Sequence, residues 1–291
     1  MTQKTRKYEG VHYIIVSGKK RHCRYAYESL WREKDMGLTK LALKIAAPAP
    51  KIESFSRYLF IGPHPDDIEI GCGATVAKLA EEGKQISFLI LTDGRYGDGH
   101  SGGIKGAELA SLRKQESVAS AERLGVKDVR FLDLCDGGFY DYEDMKKGIA
   151  RITGECGPEL IFAPDPYTGR ECHIDHLNAG RAASHVAYVA PYPGIMDSMG
   201  AAASDVKGIA YYMTAKPNRY VRVNREMLRL QSEAIFGCHV SQFPAESSET
   251  KQLQMYLKLR SADFGLRSMC AHAEGFRVLG QTHMHCTPET V

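Results

Sequence analysis

The feature that most restricts the fold is a series of short apolar runs separated by helix-length stretches. Tyr58-Leu59-Phe60-Ile61, Ile86 to Leu91, Val129-Arg130-Phe131-Leu132 and Leu160-Ile161-Phe162-Ala163 read as strands. Near-continuous apolar runs of this length fit strands covered on both faces, as parallel strands are. Between and after them the spacing predicts helices over Ile70 to Glu82, about Ala107 to Leu124 with Gly125 as cap, Met145 to Cys156, and Asp175 to Tyr188. Strands alternating with helices of this length predict a mostly parallel α/β sheet flanked by helices in one domain. Pro191 to Asp205 reads as a long loop, Gly208 to Thr214 and Tyr220 to Val223 as late strands, and Arg225 to Gly237 and Ser248 to Leu266 as closing helices. There is no internal repeat.

Residues 1–50 fall outside this alternation. Val11 to Val16 is β-rich, Ser17 to Lys20 is a turn and Arg21 to Tyr27 alternates polar with apolar, which predicts a hairpin. Glu28 to Ile45 follows as a helix weakened near Gly37, and Ala46-Ala47-Pro48-Ala49-Pro50 is a linker by composition. The expected division is therefore a small hairpin-helix elaboration over 1–50 and the main domain over 51–291. Charge follows the same boundary. Residues 1–55 hold twelve Lys and Arg against five Asp and Glu, although the whole chain carries only +3. That balance argues against a nucleic-acid binder, and the basic N-terminal surface could serve an acidic partner or a membrane surface but reads better as a solvated face. No apolar run approaches the roughly 18 residues of a membrane span, and the polar start offers no signal-peptide core. Eight scattered cysteines without a Cys-x-x-Cys pair point to reduced thiols in a cytoplasmic protein.

The richest chemistry lies directly after the first strand, in His64-Pro65-Asp66-Asp67-Ile68-Glu69. A second cluster, His173-Ile174-Asp175-His176, follows the loop after the fourth strand. At the C-terminal ends of strands in one parallel sheet, the two would converge on a single crevice. Two imidazoles and a carboxylate drawn from them make a hydrolytic zinc site with one position left for water, although Fe²⁺ or another divalent ion suits the same donors. A carboxylate and an imidazole then remain for a general base and an oxyanion stabiliser. Either cluster alone has a plainer reading: an Asp that caps a helix, or polar residues on a surface. It is their joint placement at strand ends that favours chemistry. Gly71 and Gly73 faintly suggest a dinucleotide loop, but the third glycine is missing and the neighbouring carboxylates would repel a pyrophosphate. Cys270, His272, His283, His285 and Cys286 have the types of a second zinc site without a fitting spacing, and read better as a mobile polar tail.

Pro63 to Glu69 followed by Gly71-Cys72-Gly73 resembles the first motif of the PIG-L (LmbE-like) family of zinc-dependent N-deacetylases, and His173-Ile174-Asp175-His176 resembles its second. Thr92-Asp93-Gly94, Gly97, Arg113 with Glu116, Leu124-Gly125-Val126, Asp136-Gly137, His239-Val240-Ser241-Gln242 and Ala273-Glu274-Gly275-Phe276 follow in family order. The resemblance spans about residues 57 to 277. Ile174 stands where the family usually has proline, and Gln231 where lysine is expected. The resemblance implies a Rossmann-like fold, with His64, Asp67 and His176 as zinc ligands and Asp66 as general base. It further implies that His173 stabilises the oxyanion and that Asp175 orients an imidazole, while Glu69 caps or braces rather than ligating. Arg95, Asp136, Tyr167 and Arg170 are loop candidates for binding sugar hydroxyls. The implied activity is removal of acetate from an N-acetylglucosamine-type small molecule or glycoconjugate. The alternatives are an amidase acting on another N-acyl or thiol conjugate and a metal-bound sugar-binding scaffold. Oligomeric state is left open, a homo-oligomer included.

Overall fold

In a computed structural model, residues 7–8, 11–12, 42 and 45–285 are described. The chain divides into two compact units, 1–46 and 47–291. In the first, Lys7–Tyr8 pairs antiparallel with Val11–His12. The rest of the expected hairpin and most of the helix over Glu28 to Ile45 lie outside the described residues.

The second unit is a seven-stranded sheet between two helical layers. Its strands are β1 (Arg57–Gly62), β2 (Gln85–Thr92), β3 (Asp128–Leu134), β4 (Leu160–Pro164), β5 (Gly208–Tyr212), β6 (Arg219–Arg222) and β7 (Ala273–Gly280). They run in the order β3-β2-β1-β4-β5-β7-β6. The first five are mutually parallel, and β7 pairs antiparallel with both β5 and β6. The helices are α1 (Asp67–Glu81), α2 (Gly106–Arg123), α3 (Tyr142–Cys156), α4 (Ile174–Val189), α5 (Pro193–Ser198), α6 (Arg225–Glu233), α7 (Ser248–Arg267) and α8 (Gln281–His285), with a π-helical turn at Ala234–Cys238. None is long and apolar enough to cross a membrane among the described residues.

β1 shows why the apolar runs are continuous. Tyr58 and Phe60 face the layer containing α1, whereas Leu59 and Ile61 face the layer containing α3 and α4; all four are at most 1% exposed. Phe60 lies in register with Phe88 on one side and Phe162 on the other, and stacks on Phe162 at 4.2 Å between ring centres. Each such ring contributes about 1.5–3 kcal/mol of apolar burial. α3 begins three residues before the expected Met145 because the Asp141 carboxylate accepts the Glu143 amide at 2.6 Å.

Three expectations need correction. The stretch read as a loop over Pro191 to Asp205 contains α5, with Pro193 at the first helical position where its missing N–H costs nothing. The segment read as a mobile tail instead contributes β7, which joins β5 to β6 in the sheet. The stretch over residues 47–50, read as a linker, is fastened down: Arg219 donates to the carbonyls of Ala49 and Pro50, and His283 Nε2 lies 2.9 Å from the Ala47 carbonyl.

α1 is broken at Cys72, which leaves helical geometry. Glu274 on β7 accepts the freed amides of Ala74 and Thr75, the latter at 2.6 Å. Gln231 bridges the Glu69 carbonyl at 2.9 Å and the Glu274 carboxylate at 3.0 Å. A Cβ at Gly71 would clash with the Tyr212 ring, and one at Gly73 would meet Gln231 Cγ at 2.9 Å. These glycines therefore allow close packing, and the break is capped by a side chain.

Candidate active site

The sheet order reverses between β1 and β4, the two strands whose following loops carry the chemical clusters. After β1 the chain turns through Pro63 to Asp66 into α1. Thr92 at the end of β2 fixes this turn, since its amide and hydroxyl both donate to the Pro63 carbonyl, at 2.9 and 2.8 Å. Asp66 sits at φ 124°, in a region sparsely populated by residues with a side chain, a strain of about 1–3 kcal/mol that the surroundings must hold.

Arg113 of α2 supplies much of that hold. Its guanidinium donates to the Pro65 carbonyl at 2.7 Å, the Asp66 carboxylate at 3.1 Å and the Gly94 carbonyl at 3.0 Å, and the residue is 4% exposed. A Cβ at Gly94 or Gly97 would strike it. Burial pushes the Asp66 carboxyl up to about 6, with Arg113 opposing and the Asp67 charge reinforcing the rise. Arg113 is the site residue whose role the sequence left unassigned. A signal was present: Arg113, Glu116, Ser117 and Ser120 recur at the spacing an apolar stripe would have, and all four are buried.

Asp67 faces the opposite way. Its Oδ2 accepts the His64 amide at 2.8 Å and lies 3.1 Å from His64 Nδ1, while Oδ1 lies 3.3 Å from His176 Nε2. Although burial opposes ionisation, the His176 and His64 imidazoles hold this carboxyl well below its usual value. One ligand atom from each of His64, Asp67 and His176 lies within 4.8 Å of the others.

These donors fit a divalent cation. His64 Nε2 lies 3.0 Å from Asp175 Oδ2. With the Nε2 proton given to Asp175, Nδ1 turns its lone pair toward an Asp67 oxygen that is itself only an acceptor. Two acceptors 3.1 Å apart are stable only with a positive charge beside them. Without a metal a proton serves: burial disfavours it, but hydrogen bonds to Asp175 and Asp67 outweigh burial and push His64 up to about 10. Asp175 is fully buried and accepts the Gly137 and Gly138 amides at 2.7 and 2.8 Å. Despite burial, hydrogen bonds with His64, the Gly137 amide and Tyr140 lower its pKa to about 2.

His173 is the open member of the group. It caps α4, with Nδ1 accepting the Asp175 amide at 3.4 Å, and its side chain is 49% exposed. Its ring meets His64 edge-on at 4.5 Å. Partial burial and the neighbouring His64 and His176 lower its pKa. Glu69 points away from the ligand cluster. It is buried, takes a hydrogen bond from Ser120 and lies 3.4 Å from His239 Nε2, so it braces α1 against α2 and the turn at His239. Ser241 donates to Glu116 through its amide and hydroxyl, and Gln242 donates to the Gly97 carbonyl at 2.9 Å, which completes that brace.

The four loop candidates scatter. Asp136 is buried and accepts the Tyr96 amide at 3.3 Å; burial raises its pKa, and nearby His64 counters the rise. Arg95 pairs with its neighbour Asp93, Nε to carboxylate at 2.7 Å. Tyr167 is exposed and packs on Tyr211 and beneath Arg277, lining a separate cavity of about 480 Å³ along α4. Arg170 is exposed.

Residues 59–187 match the PIG-L family, described as GlcNAc-PI de-N-acetylase. The chain is 33% identical over 254 residues to diacetylchitobiose deacetylase of Thermococcus kodakarensis, covering 86% of this chain and 92% of that one. It is 29% identical over 222 residues to a 1D-myo-inositol 2-acetamido-2-deoxy-alpha-D-glucopyranoside deacetylase of Kineococcus radiotolerans, across 64% of this chain and 58% of that one. Among solved structures, N,N′-diacetylchitobiose deacetylase from Pyrococcus horikoshii in complex with its inhibitor MPG superposes with a TM-score of 0.77 at 28% identity, covering 88% of this chain and 98% of that one. Extent of identity, a shared fold and the two loops that meet at the β1–β4 reversal agree: this chain belongs to the PIG-L family of de-N-acetylases.

Proposed function

We propose that this protein is a zinc-dependent amide hydrolase that removes the N-acetyl group from an N-acetylglucosamine unit of a small glycoside or glycoconjugate. One observation carries the reading: a three-residue ligand cluster stands beside a separately held, buried carboxylate, Asp66, that is not part of it. A divalent ion held by His64, Asp67 and His176 would supply Lewis acidity and a water acidic enough to ionise near neutral pH.

The protein's own groups divide the remaining work. Asp66, raised toward 6 by burial and steadied by Arg113, accepts the proton of the attacking water. His173, open to solvent at the cluster, donates to the oxygen of the amide carbonyl as negative charge builds there. Asp175 keeps the His64 ring oriented through Nε2. Asp66 then returns its proton to the departing nitrogen, so that acetate and a free amine leave. Asp136, buried beside this group, is the best placed of the four loop candidates for a sugar hydroxyl.

The test is acetate and amine release from N-acetylglucosamine and N,N′-diacetylchitobiose by zinc-loaded protein, with metal content measured alongside. Protein that holds zinc and releases amine from neither sugar would instead be a binding scaffold.

A further inference from the structure

A second concave site lies along α4, apart from the ligand cluster. It is a cavity of about 480 Å³ lined by Tyr211 of β5 and Arg277 of β7, by Arg181 and Tyr188 of α4, and by His283 and His285 of α8. Tyr211 and Arg277 are partners in the strand register, and Tyr167 joins the lining from the loop after β4. None of His64, Asp66, Asp67, His173 and His176 lines it, and among the described residues no carboxylate does. Sites for small organic ligands commonly have volumes of roughly 300–1,000 Å³.

The arginines decide which ligand chemistry fits. Arg113 spends its guanidinium on Pro65, Asp66 and Gly94, and Arg130 spends its own on Asp128 and Glu155. Arg277 differs. Its side chain is only 20% exposed, its Nε is buried without a hydrogen bond, and its ion-pair partner, Asp165, lies 3.8 Å from Nη1. Asp165 is itself engaged, accepting the Tyr167 amide at 2.9 Å and the Thr214 hydroxyl at 2.6 Å. The Tyr167 ring flanks the Arg277 guanidinium at 5.3 Å. A buried donor without an acceptor is costly, and a planar fork of N–H groups matches the oxygens of a phosphate. Arg181, exposed on α4, adds a second positive charge to the same cavity. The histidines do not make it a metal site. His283 is engaged through both ring nitrogens, with the Gly280 amide at 3.1 Å and the Ala47 carbonyl at 2.9 Å. The His285 ring packs on Tyr188, 5.4 Å between centres, and among the described residues metal-ligand atoms converge only in the loops after β1 and β4. Tyr167, Tyr188 and Tyr211 instead offer aromatic surface beside the two cations.

We propose that this cavity binds a phosphate monoester carried on a flat ring, a nucleoside monophosphate being the simplest example. Arg277 and Arg181 take the phosphate, and the tyrosines take the ring. A neutral sugar would leave the guanidinium fork unmatched, and an inorganic anion would leave the aromatic surface uncovered. The ligand is not the substrate of the metal cluster, so this site stands or falls apart from the deacetylase reading.

The experiment is calorimetry on the whole, zinc-loaded chain with four probes: adenosine monophosphate, adenosine, ribose phosphate and inorganic phosphate. Adenosine monophosphate binds about tenfold more tightly than any of the other three. Arg277→Met and Arg181→Met, made separately, each weaken it by about tenfold, the loss of one charge-assisted pair. Tyr167→Ala brings it down toward ribose phosphate. His64→Ala, which removes a ligand from the metal cluster, leaves its affinity unchanged. Thermal melting by circular dichroism checks that each variant is folded, and the exposed Arg181 keeps the test decisive where Arg277→Met does not fold. Adenosine monophosphate that does not bind, that binds as well to the arginine variants, or that is lost with His64→Ala overturns the site. Ribose phosphate or inorganic phosphate binding as tightly overturns the flat ring, and adenosine binding as tightly overturns the phosphate.

Discussion

The two walls of the crevice are built in opposite ways. The wall after β1 is sealed: His64, Asp66 and Asp67 are all below 10% exposed, wrapped by α1, α2 and the end of β2. The wall after β4 is half open, with His173 and Ile174 in solvent and only Asp175 fully buried. Unlike charges attract most strongly where water is excluded, which suits the sealed wall to two of the three residues that would hold a cation, His64 and Asp67; the third, His176, stands on the other wall with its side chain 12% exposed. A group that must meet an incoming carbonyl belongs on the open one. Asp175 links the two, reaching from the second wall to the histidine of the first.

This contrast can be broken in four places. The largest effect is expected from Asp66→Asn, which should lower kcat on the order of 10²–10⁴-fold while zinc content stays at that of the unsubstituted protein. Loss of the metal instead would make Asp66 a ligand and erase the division of labour between the two aspartates. Arg113→Met should strand the Asp66 charge in the sealed wall and cost about 3–5 kcal/mol in urea unfolding; a change no larger than that of a surface charge would mean the wall is wet. On the open side, His173→Ala should reduce kcat by about 10²–10³-fold yet cost only about 1 kcal/mol, the worth of a lost helix cap, and a proportionate collapse in stability would show that His173 is structural. The smallest effect, about 10–100-fold in zinc affinity measured by competition with a chelator, is expected from Asp175→Asn through loss of the His64 orientation. Unchanged affinity would disconnect the walls.

Much of the sealed wall was legible along the chain because its residues are neighbours in sequence, at the end of a strand whose apolar run announces itself. The π-turn brace and β7 were less legible for the opposite reason. Glu274 and Gln231 serve α1 across 162 to 200 positions of sequence, and a polar residue buried against a distant backbone looks, in sequence, like one on the surface. The same holds for Arg113, whose partners Pro65 and Asp66 precede it by 48 and 47 positions. Tyr96 and Phe139 carry no local signal either; only the meeting of two loops makes them a pair.

The sequence by itself determined the parallel core, the two chemical loops and the kinds of donor they carry, since period, strand ends and residue type are local properties. Tertiary structure alone decided which His64 nitrogen faces Asp67 and which faces Asp175, and it alone placed a guanidinium on Asp66. It also turned the last strand antiparallel and brought two aromatic rings to the rim. Those outcomes depend on contacts between distant segments, where a shift of one or two ångströms changes a hydrogen bond into none.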